Sequence, residues 1–94
     1  MKIRILFTAF LICAFLSCNK THIENYEDLQ KLESGMELDE VLSLMRNEPV
    51  LIEKAYWDEN LFIYSFESPP AASDYYKVIF RKNDSVVTEI LYGD

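Results

Sequence analysis

The strongest chemical signal in the sequence lies in the segment Phe15–Cys18. Two basic residues, Lys2 and Arg4, precede thirteen residues without a charge, Ile5 to Ser17. A basic start, a short apolar stretch and a small residue before the cut are typical of a bacterial secretory signal. A cysteine directly after that small residue is typical of a lipoprotein signal. We therefore predict that the peptide is cut before Cys18 and that the Cys18 sulfur carries lipid.

A membrane-spanning helix is the alternative interpretation of the apolar stretch. Spanning about 30 Å of hydrocarbon takes about 20 apolar residues, and thirteen are too few. We expect residues 1–17 to be a signal peptide, residues 18–21 a lipidated tether and residues 22–94 one domain. Two or three acyl chains on Cys18 would hold this domain stably on a membrane. Asn19, rather than aspartate, follows the lipid site. We therefore expect an outer-membrane anchor, on the periplasmic face or at the cell surface.

Residue types that could support catalysis are scarce in the rest of the chain. Nucleophilic catalysis needs a serine or cysteine beside a positioned base, and the single histidine, His22, is four residues past the lipid site. Cys13 leaves with the signal and Cys18 carries lipid, so no thiol remains for a disulfide, a metal or catalysis. The carboxylates cluster at helix starts or alternate with apolar residues, unlike a two-acid glycosidase site. We expect no enzyme activity and no small-molecule substrate.

Metal and nucleic-acid binding are disfavoured by the same composition. A zinc site needs three or four closely placed ligands, and no Asp-x-Asp-x-Asp-Gly calcium loop is present. Without Lys2 and Arg4 the chain has seven basic and sixteen acidic residues, a net charge of −9. Such a surface repels nucleic-acid phosphates. It leaves two alternatives open, a basic partner surface or a charge that only keeps the domain soluble. We expect no metal, no cofactor apart from the covalent lipid, and no nucleic-acid partner.

Two short helices are predicted before Pro49. The segment Thr21–Glu24 has the spacing of a capping box, and Gly35 is placed to end the first helix in a left-handed conformation. The second helix is expected from about Leu38 to Arg46, because Pro49 forbids its continuation. The first apolar stripe consists of Ile23, Tyr26, Leu29 and Leu32. The second consists of Leu38, Val41, Leu42 and Met45.

Strands are predicted after Pro49, where the period of the apolar residues changes to two. Leu61–Phe66 is rich in aromatic residues, Ser68–Asp74 is a loop, and Tyr75–Lys82 and Ser85–Tyr92 form a hairpin. Tyr76, Val78 and Phe80 share one face of the hairpin, and residues 50–57 are a candidate fourth strand at the edge. Helices that precede a meander are typical of an α+β domain. We therefore predict two short N-terminal helices packed on one face of a three- or four-stranded antiparallel sheet.

This order of elements resembles the SmpA/OmlA family of BamE-like small outer-membrane lipoproteins, whose fold is related to that of β-lactamase-inhibitor-type proteins. The matching pieces are Gly35-Met36, Val41–Met45, Pro49, Leu61–Phe66 and Val78–Phe80. Arg46 stands where the family has a second glycine, and the tryptophan of the family's first aromatic strand is absent. The resemblance covers roughly Tyr26 to Tyr92 and implies a BamE-like two-layer fold with a role in the cell envelope.

The aromatic side chains supply the candidates for contact with a partner. Exposed Tyr and Trp are frequent anchors of protein interfaces, and Trp57 and Tyr75 each lie beside a loop. We expect a non-enzymatic, membrane-tethered interaction module that binds other envelope proteins and supports outer-membrane protein assembly or envelope integrity. The alternative is a protein inhibitor of a periplasmic or extracellular enzyme, for which Ser68–Asp74 is the loop long enough to project.

Replacing Cys18 with alanine should abolish lipid attachment and release the chain from membranes. Cells fed a palmitate analogue are expected to label the parent chain but not Cys18→Ala, because the thiol accepts the first lipid. Cys13→Ala is the matched control and should label like the parent. Label that persists on Cys18→Ala would refute the assignment.

Overall fold

The architecture is that of an α+β domain with an open four-stranded sheet. The computed structural model describes residues 20–93, and the predicted signal peptide and Cys18 lie outside them. The described elements are α1 (Thr21–Leu29), α2 (Leu38–Leu44), β1 (Leu51–Lys54), β2 (Leu61–Phe66), β3 (Tyr76–Arg81) and β4 (Val87–Leu91). The strands pair antiparallel in the order β1-β2-β3-β4. The predicted α+β class is confirmed, and residues 51–54 of the candidate segment 50–57 form the fourth strand at the edge.

The main core lies between the helices and one face of the sheet. Phe62, Tyr64 and Phe66 of β2 stand opposite Phe80, Val78 and Tyr76 of β3, and the rings of Phe62 and Phe80 stack with their centroids 5.3 Å apart. The predicted inward face of β3 is therefore confirmed. Burying each large side chain contributes about 1.5–3 kcal/mol. The buried residues of this core are Leu29, Leu32, Val41, Met45, Phe66, Tyr76, Val78, Phe80 and Val87.

The opposite face of the sheet carries a smaller apolar cluster. Ala55, Ile63 and Ile79 are buried there, with Leu61 packed against them. Ile63 and Ile79 face each other across β2 and β3 and are only 3% and 1% exposed. The exposed apolar side chains of the sheet therefore lie along its edges and in its loops, not at the centre of this face.

The predicted apolar stripe of α1 is wrong in part. Leu29 and Leu32 are buried, but Ile23 and Tyr26 are about half exposed. The buried positions one turn apart are instead polar, namely Asn25 and Asp28. The N-cap of α1 is Lys20, so Thr21 is the first helical residue and not the cap of a capping box. The Tyr26 ring instead packs at the rim of the core, with its centroid 6.2 Å from that of buried Tyr76 and 5.7 Å from that of half-exposed Tyr92.

Gly35 has the predicted left-handed conformation but a different role. Its φ is +94°, yet α1 ends at Leu29, so Gly35 lies in the segment between the helices. The Gly35 N–H donates to the Val87 carbonyl, and the Leu38 N–H donates to the Ser85 carbonyl, both at 2.8 Å. The left-handed glycine therefore turns the chain along the start of β4.

Helix α2 ends two residues earlier than predicted, because the main chain of the next residues serves another contact. Met45 is already extended, with ψ of 123°. The Arg46 N–H donates to the Asp28 carboxylate at 2.9 Å. Arg46 Nε lies 3.2 Å from both oxygens of that carboxylate, and Lys31 Nζ lies 3.2 Å from one of them. The Asp28 side chain is 0% exposed, so a buried carboxylate joins α1 to the segment after α2.

Asn25 extends this connection to the sheet. Its Nδ2 donates to the Glu67 carbonyl at 2.9 Å, just after β2. Its Oδ1 accepts from Asn47 Nδ2 at 3.2 Å. Helix α1 is thus fixed by polar contacts to both the end of α2 and the end of β2.

Electrostatics favour the charged form of Asp28. Burial by itself raises the pKa of the Asp28 carboxyl, but the hydrogen bonds from Arg46 and Lys31 outweigh it, so the pKa lies below its ordinary value. The same bonds to Asp28 and to Glu27 raise the pKa of the Arg46 guanidinium. A carboxyl with a lowered pKa stabilises the fold above its unfolded-state pKa of about 3.9. That stability is lost as the pH falls through the folded-state pKa.

Replacing Asp28 with asparagine should lower the free energy of unfolding at pH 7 by about 2–3 kcal/mol, because hydrogen bonds to a charged group are lost. The difference from the parent should narrow at pH 3, which is below the unfolded-state pKa of about 3.9, because the unfolded parent chain takes up a proton at Asp28 there more readily than the folded chain does. Urea unfolding at the two pH values measures both quantities. Glu33→Gln, at an exposed carboxylate, is the control and should stay within about 0.5 kcal/mol of the parent. If the free energies of unfolding of the parent and Asp28→Asn differ as much at pH 3 as at pH 7, the charge of Asp28 does not contribute to stability.

Candidate functional site

Trp57 lies in the turn between β1 and β2, with 51% of its surface exposed. Its neighbour Tyr56 is 96% exposed, and the two rings meet edge to face with centroids 5.1 Å apart. The Ala55 N–H donates to the Leu61 carbonyl at 3.0 Å and the Leu61 N–H to the Asp58 carbonyl at 3.1 Å. The turn is therefore closed by main-chain bonds, and it presents both rings to solvent from a fixed base.

Tyr75 lies directly before β3, at the end of the loop of residues 67–75, and is 44% exposed. The loop is closed at its base, because Ser68 Oγ donates to the Asp74 carbonyl at 2.7 Å. The Asp74 carboxylate accepts from Lys77 Nζ and from the Tyr75 N–H, both at 2.8 Å. These bonds, that of Lys77 first, hold the pKa of the Asp74 carboxyl below its ordinary value. Tyr75 is thus held beside a rigid loop.

A shallow pocket of about 600 Å³ lies between this loop and the start of α1. His22, Ser68 and Asp74 all line it. The Ser68 hydroxyl donates to a main-chain carbonyl, so this serine is not arranged as a nucleophile activated by His22. His22 and Ser68 thus line one pocket, and the Ser68 hydroxyl is bonded to the main chain of the loop.

The structure does not bring the two predicted contact residues together. Trp57 follows β1 at the Leu61 end of β2, whereas Tyr75 precedes β3 at the Phe66 end. A strand rises about 3.3 Å per residue, so the ends of the six-residue β2 lie roughly 17–20 Å apart. Trp57 and Tyr75 therefore belong to separate surfaces and not to one cluster of contact residues.

Sequence reasoning missed a third surface, at the outer edge of β1. All four strand residues are exposed, and Val50, Leu51 and Ile52 have exposures of 51%, 43% and 55%. A groove of about 530 Å³ runs beside this strand. Its apolar lining consists of Leu42, Met45, Pro49, Ile52 and Tyr64. The available signal was the run of three apolar residues after Pro49, in a segment already assigned to a sheet edge.

Metal sites and membrane-spanning helices are two further features that could carry a function. Residues 20–93 contain no group of three His, Cys, Asp or Glu side chains placed to hold a metal ion. Over the same stretch, neither helix has the length and apolar character needed to cross a bilayer. Comparison of the chain with protein families, with curated proteins and with solved structures gave no match. The BamE-like resemblance therefore stays a prediction from the sequence.

Replacing Trp57 or Tyr75 with alanine should lower the free energy of unfolding by no more than about 1 kcal/mol, because each ring is about half exposed. Phe80→Ala is the buried control, since Phe80 is 0% exposed, and should cost about 3–5 kcal/mol. Urea titrations of the three variants beside the parent give the comparison. A loss at Trp57 or Tyr75 as large as that at Phe80 identifies a core residue and removes it from the contact candidates.

Proposed function

We propose that the chain is a non-enzymatic lipoprotein, tethered through Cys18, that acts as a protein-interaction module. In this proposal it binds other envelope proteins and supports outer-membrane protein assembly or envelope integrity. The tether is supported by the basic start, the short apolar stretch and the Ser17-Cys18 step. The binding role is supported by the described surface of the domain.

The observation that carries the binding role is the exposed aromatic pair Tyr56 and Trp57 on a closed turn. Rings held by a fixed main chain lose little conformational freedom on binding, so more of their contact energy becomes affinity. Tyr and Trp are also the side chains most often found to dominate binding energy. Val50, Leu51 and Ile52, at the other end of β1, are also exposed and form a separate apolar surface.

A non-enzymatic role is supported by the way the polar side chains are used. Asp28 and Arg46 bind each other between the helices, and Asp74 binds Lys77 beside the loop. Arg81 binds Asp84 at the turn between β3 and β4, with Nη2 2.7 Å from Oδ2. Each of these charged groups already serves a local structural contact.

The finer BamE-like arrangement is part of the same proposal. The order of two helices and a meander fits it, as does the Gly35 turn that places Met36 against β4. Arg46 stands where the family has a glycine. Its main chain and side chain both donate to the Asp28 carboxylate, which a glycine side chain could not do. The substitution therefore fits a variant of the fold in which an ion pair fixes α1.

Inhibition of an enzyme is the second candidate function, and the loop of residues 67–75 favours it. The loop is braced at its base by Ser68 and Asp74 and inside by the Ala72 N–H, which donates to the Pro69 carbonyl at 2.9 Å. Two adjacent prolines, Pro69 and Pro70, stiffen it further. A braced loop of this length suits insertion into the active-site cleft of an enzyme.

Affinity purification of the tagged full chain from its own cells, after mild crosslinking, should recover envelope proteins as partners. Trp57→Ala should weaken the affinity for a partner that binds the aromatic turn by roughly 30-fold, if the ring contributes about 2 kcal/mol to binding. Less of that partner should then be recovered. Glu59→Gln, an exposed change in the same turn, is the matched control.

The outcomes separate the two functions. Recovery of a single soluble hydrolase that is lost on truncation of the loop of residues 67–75 would favour the inhibitor. Failure to enrich any protein over an untagged control contradicts the interaction role altogether.

A further inference from the structure

We propose that the outer edge of β1 and the groove beside it form a strand-addition site for a partner protein. The occupant is an extended segment whose alternate side chains are apolar on one side and basic on the other. The inference rests on the proposed interaction role and specifies the site and the chemistry of the partner.

The main chain of β1 is free to accept a further strand. In the order β1-β2-β3-β4, β1 is terminal, and no strand of the described residues lies beyond it. Leu51 stands opposite Ser65 and Glu53 opposite Ile63, and the next pair, Ala55 and Leu61, is hydrogen-bonded. Hydrogen-bonded pairs alternate along an antiparallel ladder. The N–H and C=O groups of Ile52 and Lys54 therefore point away from β2, toward the outer edge.

The groove supplies pockets on one face of such an added strand. Ile52 stands opposite Tyr64, and both line the groove together with Leu42 and Met45 of the α2 region. A residue added opposite Ile52 would lie on this same face, because directly opposed residues of a sheet share a face. Apolar side chains at alternate positions of the occupant would therefore fill the groove. Main-chain bonds with alternating side-chain pockets are the usual mode of strand addition.

The other face of the added strand lies beside one acidic side chain of β1, that of Glu53, whereas Lys54 shares the face of Ile52. Leu51 and Glu53 occupy that face of β1, and both are exposed. Arg46 lines the groove but is already surrounded by carboxylates, with Nη2 2.8 Å from Glu27 Oε1 and Nε 3.2 Å from Asp28 Oδ2. The whole chain carries a net charge of −7. Basic residues opposite Glu53 complement both the local and the overall charge.

A second copy of the chain fits this edge poorly. Two-fold pairing of β1 with itself about Ile52 would place Glu53 of one copy opposite Leu51 of the other. It would also place Lys54 opposite Val50. Each copy also repels the other through its net negative charge. The charge pattern therefore selects a basic partner over self-association.

The direct test is binding of defined peptides to the full chain, purified in mild detergent. The probe is a fluorescein-labelled ten-residue peptide of alternating isoleucine and lysine, and the comparison is one of alternating isoleucine and glutamate. We expect the basic peptide to bind about tenfold or more tightly than the acidic one. On binding, amide hydrogen exchange at Ile52 and Lys54 should slow about tenfold or more, because these N–H groups become bonded. Equal affinities, or protection confined to other strands, overturn the proposal.

A proline substitution separates main-chain from side-chain contributions. Ile52→Pro removes an N–H that points outward, a position where edge strands tolerate proline. Ile52→Pro should weaken the affinity for the basic peptide about tenfold or more. Ile52→Val keeps the N–H donor and the apolar surface, so its affinity should stay within about twofold of the parent's. Circular dichroism checks that the proline variant folds, and if it does not, the hydrogen exchange of the parent chain decides.

The remaining outcomes distinguish this site from the broader function. Unchanged peptide binding by folded Ile52→Pro overturns the strand-addition site. Partners from cells that co-purify equally with the parent and with Ile52→Pro also overturn it, while they leave the interaction role in place. A dimer of the parent in sedimentation that Ile52→Pro dissociates would replace the basic partner with a second copy and overturn the proposed occupant.

Discussion

The buried carboxylate of Asp28 holds together parts of the chain that apolar packing alone does not. Helix α1 has nine residues and buries one large apolar side chain, Leu29, beside the polar Asn25 and Asp28. A helix of this length is marginal by itself, so its place on the sheet depends on the bonds from Asp28 to Arg46 and Lys31 and from Asn25 to Glu67. One of these bonds, from the Arg46 N–H to Asp28, takes a main-chain donor that a longer α2 would use. The chain is therefore extended after α2 and continues through Pro49 into β1. The groove beside β1 is lined by residues from both of these regions.

The sequence predicted the elements whose structure depends on neighbours in the chain. Leu61–Phe66 was predicted with the bounds that β2 has, because aromatic and β-branched residues in alternation define a half-buried strand. The apolar stripe of α1 failed because the partners of Asn25 and Asp28 lie 42 and 18 residues away. A prediction from the period of apolar residues along a helix places such polar residues on the solvent-facing side. For the same reason the end of α2 was placed at Arg46, whose N–H bonds to Asp28 rather than into the helix.

The candidate surfaces show the same division. Positions beside turns predicted exposure for Trp57 and Tyr75, and both rings are about half exposed. Their separation by the length of β2 follows from register, which the sequence does not reveal without knowing which strands pair. The sequence indicates an edge strand in residues 50–57 but not an exposed apolar surface on it, because three consecutive apolar residues usually indicate a buried strand. Here Val50 precedes a terminal strand of only four residues, and Leu51 and Ile52 begin it, so all three side chains are exposed.

In the proposed lipidated form, the tether would hold the start of α1 close to the membrane. Three residues, Cys18 to Lys20, precede α1, and an extended chain of that length spans at most about 10 Å. His22 and Tyr75 line the same pocket, so the loop of residues 67–75 lies near the tethered end. Trp57 lies at the other end of β2, roughly 17–20 Å further along the strand. A partner reaching the protein from the aqueous side would therefore meet the aromatic turn first, whereas the braced loop would lie closer to the lipid headgroups.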